Sequence, residues 1–231
     1  DRRRLDKVGR ERETLPRDCS RKCGAPPFGY GARQSPSAGV ALCYGMWYAF
    51  ANAWLCDDAF ISYRYAENLV DGLGLVYNAG ERVEGYTNFL WVMLLSLGLL
   101  VDVDPMLGSQ YLGVGFYLAT IGLLWSTASR SKTLPLAAIG LSIHGHSAIF
   151  ATCGLETSMF AFFVTAGLVL FVNAERPVHF AGCGLALIFA TMTRPDGAIF
   201  YACASLAVVL LALRQRRWGT LIGFALPFVV V

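Results

Sequence analysis

The sequence predicts an all-α protein, a polytopic transmembrane helical bundle with a helical loop at the membrane surface after its first span. Of its 231 residues, 55% are hydrophobic and only 15% are charged, whereas about a quarter of a soluble domain is charged. The mean hydropathy is +0.50. Several apolar runs approach the length that crosses a bilayer. These runs cover residues 39–56, 106–128, 134–152, 157–173, 180–192, 198–213 and 221–231.

The first 38 residues form a separate compositional zone. They hold ten of the nineteen Lys and Arg residues, with several Pro, Gly and Ser, which is typical of a disordered basic arm. A secretory signal ending at Ala51 is the alternative interpretation, but the charged region is long for one. Residues 39–231 form the predicted transmembrane domain. Because an apolar run reaches Val231, we expect this domain to be truncated on its C-terminal side.

The seven cysteines do not predict a disulfide framework. Most lie in or beside apolar runs, where cysteine behaves as a small hydrophobic residue. Cys19 and Cys23 have a CxxxC spacing, but no second pair of ligands lies nearby, so zinc is not expected there. Beyond the basic arm, nothing indicates a nucleic-acid partner.

Residues 88–101 decide the predicted topology, because this apolar run is short for a span. Basic loop residues favour the cytoplasmic side. If the run does not cross, sixteen Lys and Arg lie inside and three outside; if it crosses, the numbers are eleven and eight. In the loops after residue 101, six Lys and Arg lie inside and one outside if the run does not cross, and one lies inside and six outside if it crosses. We therefore predict a juxtamembrane helix here, with the polar loops on the outer side.

Two adjacent carboxylates, Asp57 and Asp58, directly follow the first apolar run. In one interpretation Asp58 is the N-cap of a helix over residues 58–69. In the other, the pair supplies a general base or a site for a divalent cation such as Mg or Mn, with Asp58 as the candidate metal ligand. The residues alone leave both interpretations open.

The other candidates are polar and aromatic side chains in the outer loops or next to them. Acidic, amide, hydroxyl and aromatic groups together suit a sugar or a sugar phosphate. The candidate substrate-binding residues are Tyr63, Arg64, Glu84, Tyr86, Thr87, Asn88, Glu156 and Arg194.

Structural alternatives accompany several of these candidates. Arg64 can pair with Glu67 three residues later, or compensate the acidic pair. Glu156 at a helix start is a favourable partner of the helix dipole. Arg194 is an outer basic residue against the positive-inside trend. It either binds a lipid phosphate, which matches the guanidinium fork, or pairs with Asp196.

Two histidines, His144 and His146, lie within the apolar run at residues 134–152. Histidine at membrane depth indicates function by default. Residues two apart do not share a helix face, so we predict packing or interhelical hydrogen bonding rather than a shared metal site.

Four stretches resemble the bacterial GT-C glycosyltransferases, and in particular arabinofuranosyltransferases of the AftB type. They read DDAFISYRYAENL at residues 57–69, GLGLVYNAGERVEGYTNFLW at 72–91, GLETSMF at 154–160 and TRPDG at 193–197. The resemblance runs from about residue 39 to residue 231 and is most specific at residues 57–91.

The resemblance implies a GT-C-like transmembrane enzyme of the bacterial cytoplasmic membrane, with its active site facing outside. Such an enzyme transfers a sugar, for instance arabinofuranose, from a polyprenyl-phosphate donor to a cell-envelope glycan or lipid acceptor among membrane lipids. Asp57 and Asp58 would be its catalytic pair. One would deprotonate the acceptor hydroxyl, and the other would orient it or hold a divalent cation, in a single inverting displacement.

Two other classes of function remain as alternatives. A transporter would use the acidic pair as a cation site, but transport paths need ionisable residues within the spans, and these spans carry almost none besides the histidines. A non-catalytic membrane subunit is the other alternative.

Overall fold

The computed structural model describes residues 36–230, with gaps at residues 82, 84, 216 and 217. For residues 36, 215, 218, 229 and 230 it describes the backbone alone. Residues 1–35 of the predicted basic arm and the candidate Glu84 therefore lie outside the described part of the chain.

Helices account for all the regular structure in the described residues, as the apolar runs predict. In chain order they are α1 (Pro36–Ala51), α2 (Ala59–Val70), α3 (Phe89–Leu99), α4 (Pro105–Arg130), α5 (Leu136–Ile143), α6 (Gly145–Phe150), α7 (Thr157–Val172), α8 (Pro177–Thr193), α9 (Gly197–Gln215) and α10 (Trp218–Val230).

Two helices are long and apolar enough to cross a bilayer, namely α4 and the Gly197–Arg214 part of α9. Shorter apolar helices are α3, α7, α8 and Gly219–Phe228. At about 1.5 Å per residue, the 16 residues of α7 have a length of about 24 Å, whereas a hydrocarbon core is about 30 Å thick. This architecture fits a helical membrane protein, and the number of spans stays a prediction.

Helix α3 is the element predicted to lie on the membrane surface. Its 11 residues extend about 16 Å, roughly half the thickness of the hydrocarbon core. Trp91, Val92 and Leu95 of α3 are buried in one cluster with Ala59 and Tyr65 of α2. Helix α3 therefore packs on α2 and is shorter than the hydrocarbon core is thick, and its place at the membrane surface stays a prediction.

The predicted apolar span over residues 134–152 is two short helices, α5 and α6, which meet at His144. The backbone of His144 is extended. Its Nδ1 accepts a hydrogen bond from the Ser147 N–H at 3.3 Å and lies 2.9 Å from Ser147 Oγ. The prediction of packing or interhelical bonding is therefore wrong for His144, because its side chain caps the next helix locally. The His146 ring lies 5.8 Å from the His144 ring.

Small residues allow helices to approach one another closely, as is common between membrane helices. A Cβ at Gly113 of α4 would collide with the carbonyl oxygen of Ala151, and one at Gly184 of α8 would collide with that of Phe224 in α10. These contacts join α4 to the segment after α6, and α8 to α10.

The turn at residues 153–156, called here the Gly154 turn, connects α6 to α7 and contacts three other segments. Gly154 has a φ of +86°, and a Cβ there would lie 2.5 Å from Tyr63 Oη and 2.8 Å from Ala59 Cβ. Its carbonyl accepts a hydrogen bond from Trp91 Nε1 at 3.1 Å. The Cys56 N–H donates to the Cys153 carbonyl at 2.9 Å. The turn therefore holds α2, α3 and the segment before Asp57 together.

We predict that Gly154→Ala lowers the melting temperature much more than Gly80→Ala, measured in detergent micelles by intrinsic fluorescence. Gly80 is the matched control, because it has the same φ of +86° but nothing within 4 Å of an added Cβ. Both variants incur left-handed backbone strain of about 1–3 kcal/mol, and only Gly154→Ala adds steric collision. Equal losses would show that the turn is not tightly packed.

Candidate active site

The acidic pair lies immediately before α2, with both side chains exposed. Asp58 has helical dihedrals (φ −64°, ψ −21°), and its side chain accepts no capping hydrogen bond. Neither carboxylate forms an ion pair or hydrogen bond with a residue that the structure describes. The capping interpretation of Asp58 therefore has no side-chain contact to support it among the described residues.

Backbone and packing contacts fix the acidic pair from both sides in the sequence. On one side, the bond between the Cys56 N–H and the Cys153 carbonyl holds the preceding segment on the Gly154 turn. On the other side, Ala59 is fully buried against this turn. The Trp54 ring also lies 6.3 Å from the Phe150 ring of α6. The segments on both sides of the exposed carboxylates are thus held by contacts with the Gly154 turn and α6.

Tyr63, a candidate substrate-binding residue, is buried inside the protein, whereas the acidic pair is exposed. It is 3% exposed, and its Oη is 2.6 Å from Ser109 Oγ of α4. Burial raises the pKa of the Tyr63 phenol, although the bond to Ser109 opposes this shift. These contacts give Tyr63 a structural role in joining α2 to α4.

Arg64 occupies the exposed face of α2. Its Nη1 lies 4.0 Å from Glu67 Oε2, and both side chains are about half exposed. The sequence allowed this pairing, because Arg64 and Glu67 are three residues apart on one helix. A pair at this distance and exposure contributes little to stability.

Tyr65, which sequence reasoning missed, organises the loop between α2 and α3. Its Oη donates to the Val83 carbonyl and accepts from the Gly85 N–H, each at 3.0 Å. The Tyr65 ring lies 4.6 Å from the ring of Tyr86, a half-buried candidate. The next candidate, Thr87, is exposed.

Three candidates that are distant in sequence come together at the Gly154 turn. Asn88 Nδ2 donates to Glu156 Oε2 at 3.0 Å, and Glu156 Oε1 lies 3.9 Å from Arg194 Nε. Asn88 is 8% exposed, whereas the Arg194 side chain is 40% exposed. The Glu156 side chain makes no capping hydrogen bond with α7, so its principal partners are the other two members of this cluster.

Arg194 has two further neighbours. Its Nη2 lies 3.5 Å from Asp196 Oδ2, an exposed side chain. Its guanidinium carbon lies 5.7 Å from the centroid of the Phe160 ring. The pairing with Asp196 that the sequence offered as an alternative is therefore present, but Arg194 still presents a partly exposed guanidinium at the site.

Ser62 is a second residue of the site that sequence reasoning missed. It is buried in α2, and its Oγ accepts a hydrogen bond from Asn88 Nδ2 at 2.9 Å. Asn88 Oδ1 is buried and has no hydrogen-bond partner among the described residues. The signal for Ser62 in the sequence was only its position four residues after Asp58, on the same helix face.

Among the described residues, few side chains at this site could bind a metal ion. No group of three or more His, Cys, Asp or Glu side chains that could hold a metal ion occurs in the described part of the chain. A cation at Asp57 and Asp58 would take its remaining ligands from substrate phosphate and water, as magnesium often does.

An apolar cavity of about 610 Å³ lies between α4, α5, α6 and α7, within the usual size range of ligand pockets. Its lining includes Thr157 and Ser158, the two residues after Glu156. His144, His146 and Ser147 supply polar groups in an otherwise mainly apolar wall.

Two characterised proteins are similar to this chain. The terminal β-(1→2)-arabinofuranosyltransferase of Corynebacterium glutamicum is 30% identical over 80% of the chain and 31% of its own length. The enzyme of the same name from Mycobacterium tuberculosis is 27% identical over 78% of the chain and 31% of its own length.

The chain thus spans about a third of the length of these relatives. No family model matches the chain, and no solved structure matches it. Over about four fifths of its length, the chain is a relative of the terminal β-(1→2)-arabinofuranosyltransferases.

Proposed function

We propose that the chain is part of a membrane glycosyltransferase that acts in cell-envelope synthesis. It would transfer a sugar, arabinofuranose in the first instance, from a polyprenyl-phosphate donor to a glycan or lipid acceptor on the outer face of the bacterial cytoplasmic membrane. The observation that carries this proposal is the pair of exposed carboxylates, Asp57 and Asp58, which have no partner among the described residues and follow a segment bonded to the Gly154 turn. The similarity to two arabinofuranosyltransferases supports the choice of sugar.

The acidic pair supplies the base for an inverting displacement of GT-C type. One carboxylate takes the proton of an acceptor hydroxyl while the hydroxyl oxygen forms a bond to the anomeric carbon of the donor. The bond from that carbon to the phosphate oxygen breaks, and polyprenyl phosphate leaves with the electron pair. The other carboxylate orients the acceptor. A positioned general base accelerates such a step by roughly 10²–10⁴-fold.

Arg194 is the proposed partner of the donor phosphate. The guanidinium already faces two carboxylates, at 3.9 Å from Glu156 and 3.5 Å from Asp196, both longer than a charge-assisted hydrogen bond of about 2.8 Å. A phosphate oxygen at normal hydrogen-bond distance would replace the exposed Asp196 carboxylate. Arg194 would then stabilise the negative charge that develops on the leaving phosphate.

The apolar cavity beside α7 supports a lipid-linked donor. A lipid chain in this cavity would pass Thr157 and Ser158, so its phosphate end would emerge beside Glu156. The mainly apolar wall suits hydrocarbon.

The distribution of basic residues supports an outward-facing site. Arg130 ends α4, Lys132 follows it, and Arg176 precedes α8. These residues lie at helix ends opposite those that carry Glu156 and Arg194. Basic loops favour the cytoplasm, which supports an outer position for the acidic pair.

The transfer activity should depend on both carboxylates. We predict that Asp57→Asn and Asp58→Asn in the full-length protein each lower kcat, and that the variant lacking the base falls roughly 10²–10⁴-fold. The assay measures polyprenyl phosphate released from a polyprenyl-phosphate arabinofuranose donor. Asp71→Asn, at the exposed C-terminal end of α2, is the matched control and should keep full activity. Full activity in both acidic-pair variants would overturn the proposed function.

Donor affinity should depend on the guanidinium of Arg194. We predict that Arg194→Gln raises the donor KM by about tenfold or more, because an ion pair with phosphate is lost. Arg194→Lys should restore part of the affinity, since lysine keeps the charge without the fork. Arg176→Gln, an exposed arginine before α8, is the control. An unchanged donor KM in Arg194→Gln would place the phosphate elsewhere.

The orientation of the loops can be tested by cysteine labelling in intact cells. In a background with the native cysteines replaced by alanine, we predict that Asn78→Cys reacts with a membrane-impermeant maleimide. Glu175→Cys should react only after permeabilisation, because it lies at the opposite end of the helices. Both side chains are exposed, so access depends on the membrane side. The reverse labelling pattern would contradict the proposed topology.

A further inference from the structure

A chain of polar contacts connects α2 to the end of α8 through the core of the site. Asn88 Nδ2 donates to Ser62 Oγ at 2.9 Å and to Glu156 Oε2 at 3.0 Å. Glu156 Oε1 in turn lies 3.9 Å from Arg194 Nε. We call these four residues the Ser62–Arg194 chain. It joins segments that are 26 and 68 residues apart in the sequence.

The orientation of the Asn88 amide is determined by its neighbours. The carboxylate of Glu156 can only accept hydrogen bonds when ionised, so the amide nitrogen must face it. The same nitrogen then donates to Ser62, and both amide hydrogens are used. This leaves Asn88 Oδ1 buried with no partner among the described residues. A buried acceptor without a partner is unfavourable. This arrangement therefore provides hydrogen bonds to Ser62 Oγ and Glu156 Oε2 but leaves Asn88 Oδ1 without one among the described residues.

Ser62 lies one helical turn after Asp58, on the same face of α2. The hydrogen bond from Asn88 to the Ser62 hydroxyl therefore restricts the rotation of α2 about its axis. The restraint acts on the helix face that Ser62 shares with Asp58. The neighbouring residues Tyr63 and Tyr65 fix other faces of the helix, through Ser109 and Gly85. Ser62 is the described residue of α2 whose side chain is hydrogen-bonded to the polar contacts that lead to Arg194.

We propose that Ser62 and Asn88 are positioning residues that align the acidic pair with the donor phosphate through Glu156 and Arg194. The inference rests on the proposed function. Neither Ser62 nor Asn88 needs to contact the donor, because both are buried. Their effect is on the direction of Asp57 and Asp58 at the reacting centre, where a misplacement of about 1 Å can lower the rate about 10²-fold.

The test is steady-state kinetics of Ser62→Ala and Asn88→Ala in the full-length protein. We expect kcat to fall about 10- to 100-fold while the donor KM changes little, since the phosphate contact is intact. The double variant should lose no more than the worse single variant, because both break the same chain. Ser62→Thr keeps the hydroxyl and should recover most of the activity. Asn173→Ala is the matched control, because this exposed amide bonds only to Val169 of its own helix at 2.8 Å.

Three outcomes would overturn the inference. The first is a wild-type kcat in both single variants. The second is a higher donor KM with an unchanged kcat, which would mean that these residues contact the donor directly. The third is a loss of activity in the double variant equal to the sum of the two single losses in free energy. If Asn88→Ala does not fold, Ser62→Ala carries the test, because it removes a single oxygen. Failure of this inference can be distinguished from failure of the proposed function, because the proposed function fails only if Asp57→Asn and Asp58→Asn both keep full activity.

Discussion

The site depends on the close packing of Gly154 against the start of α2. A positive φ and the absence of a Cβ allow this residue to sit against Ala59 and Tyr63. Its carbonyl is then placed to accept from Trp91. The adjacent Cys153 carbonyl accepts from the segment before Asp57. One turn of the backbone thereby holds helix α3, helix α2 and the segment that leads to the acidic pair together.

The Gly154 turn also determines which charged side chains lie close to one another. Glu156 follows Gly154 by two residues, so the packing that positions the acidic pair also positions the carboxylate that contacts Asn88 and Arg194. Two carboxylates, Asp57 and Asp58, with no partner among the described residues, and Arg194, whose ion pairs there are 3.5 and 3.9 Å long, then share one end of the helices. This arrangement suits a reaction in which a proton is removed from one substrate and a phosphate leaves the other.

The sequence alone predicted the helical class, because hydropathy and residue type report on it, and it predicted that a short helix would form near residues 88–101. It did not predict the break at His144, since a side chain that caps a short helix within an apolar run does not alter the hydropathy. Nor did it distinguish Tyr63, which is buried against Ser109, from the exposed Arg64 beside it. Ser62 was missed because its importance comes from a contact with Asn88, 26 residues away, and such pairings are set by tertiary packing.

A structure of the full-length protein in a lipid nanodisc, with an unreactive polyprenyl-phosphate arabinofuranose analogue bound, tests the central claim most directly. The account predicts the phosphate in contact with Arg194, the lipid chain in the cavity beside α7, and the anomeric carbon facing Asp57 and Asp58. A donor bound with its phosphate away from Arg194 and its anomeric carbon out of reach of both carboxylates would contradict the account.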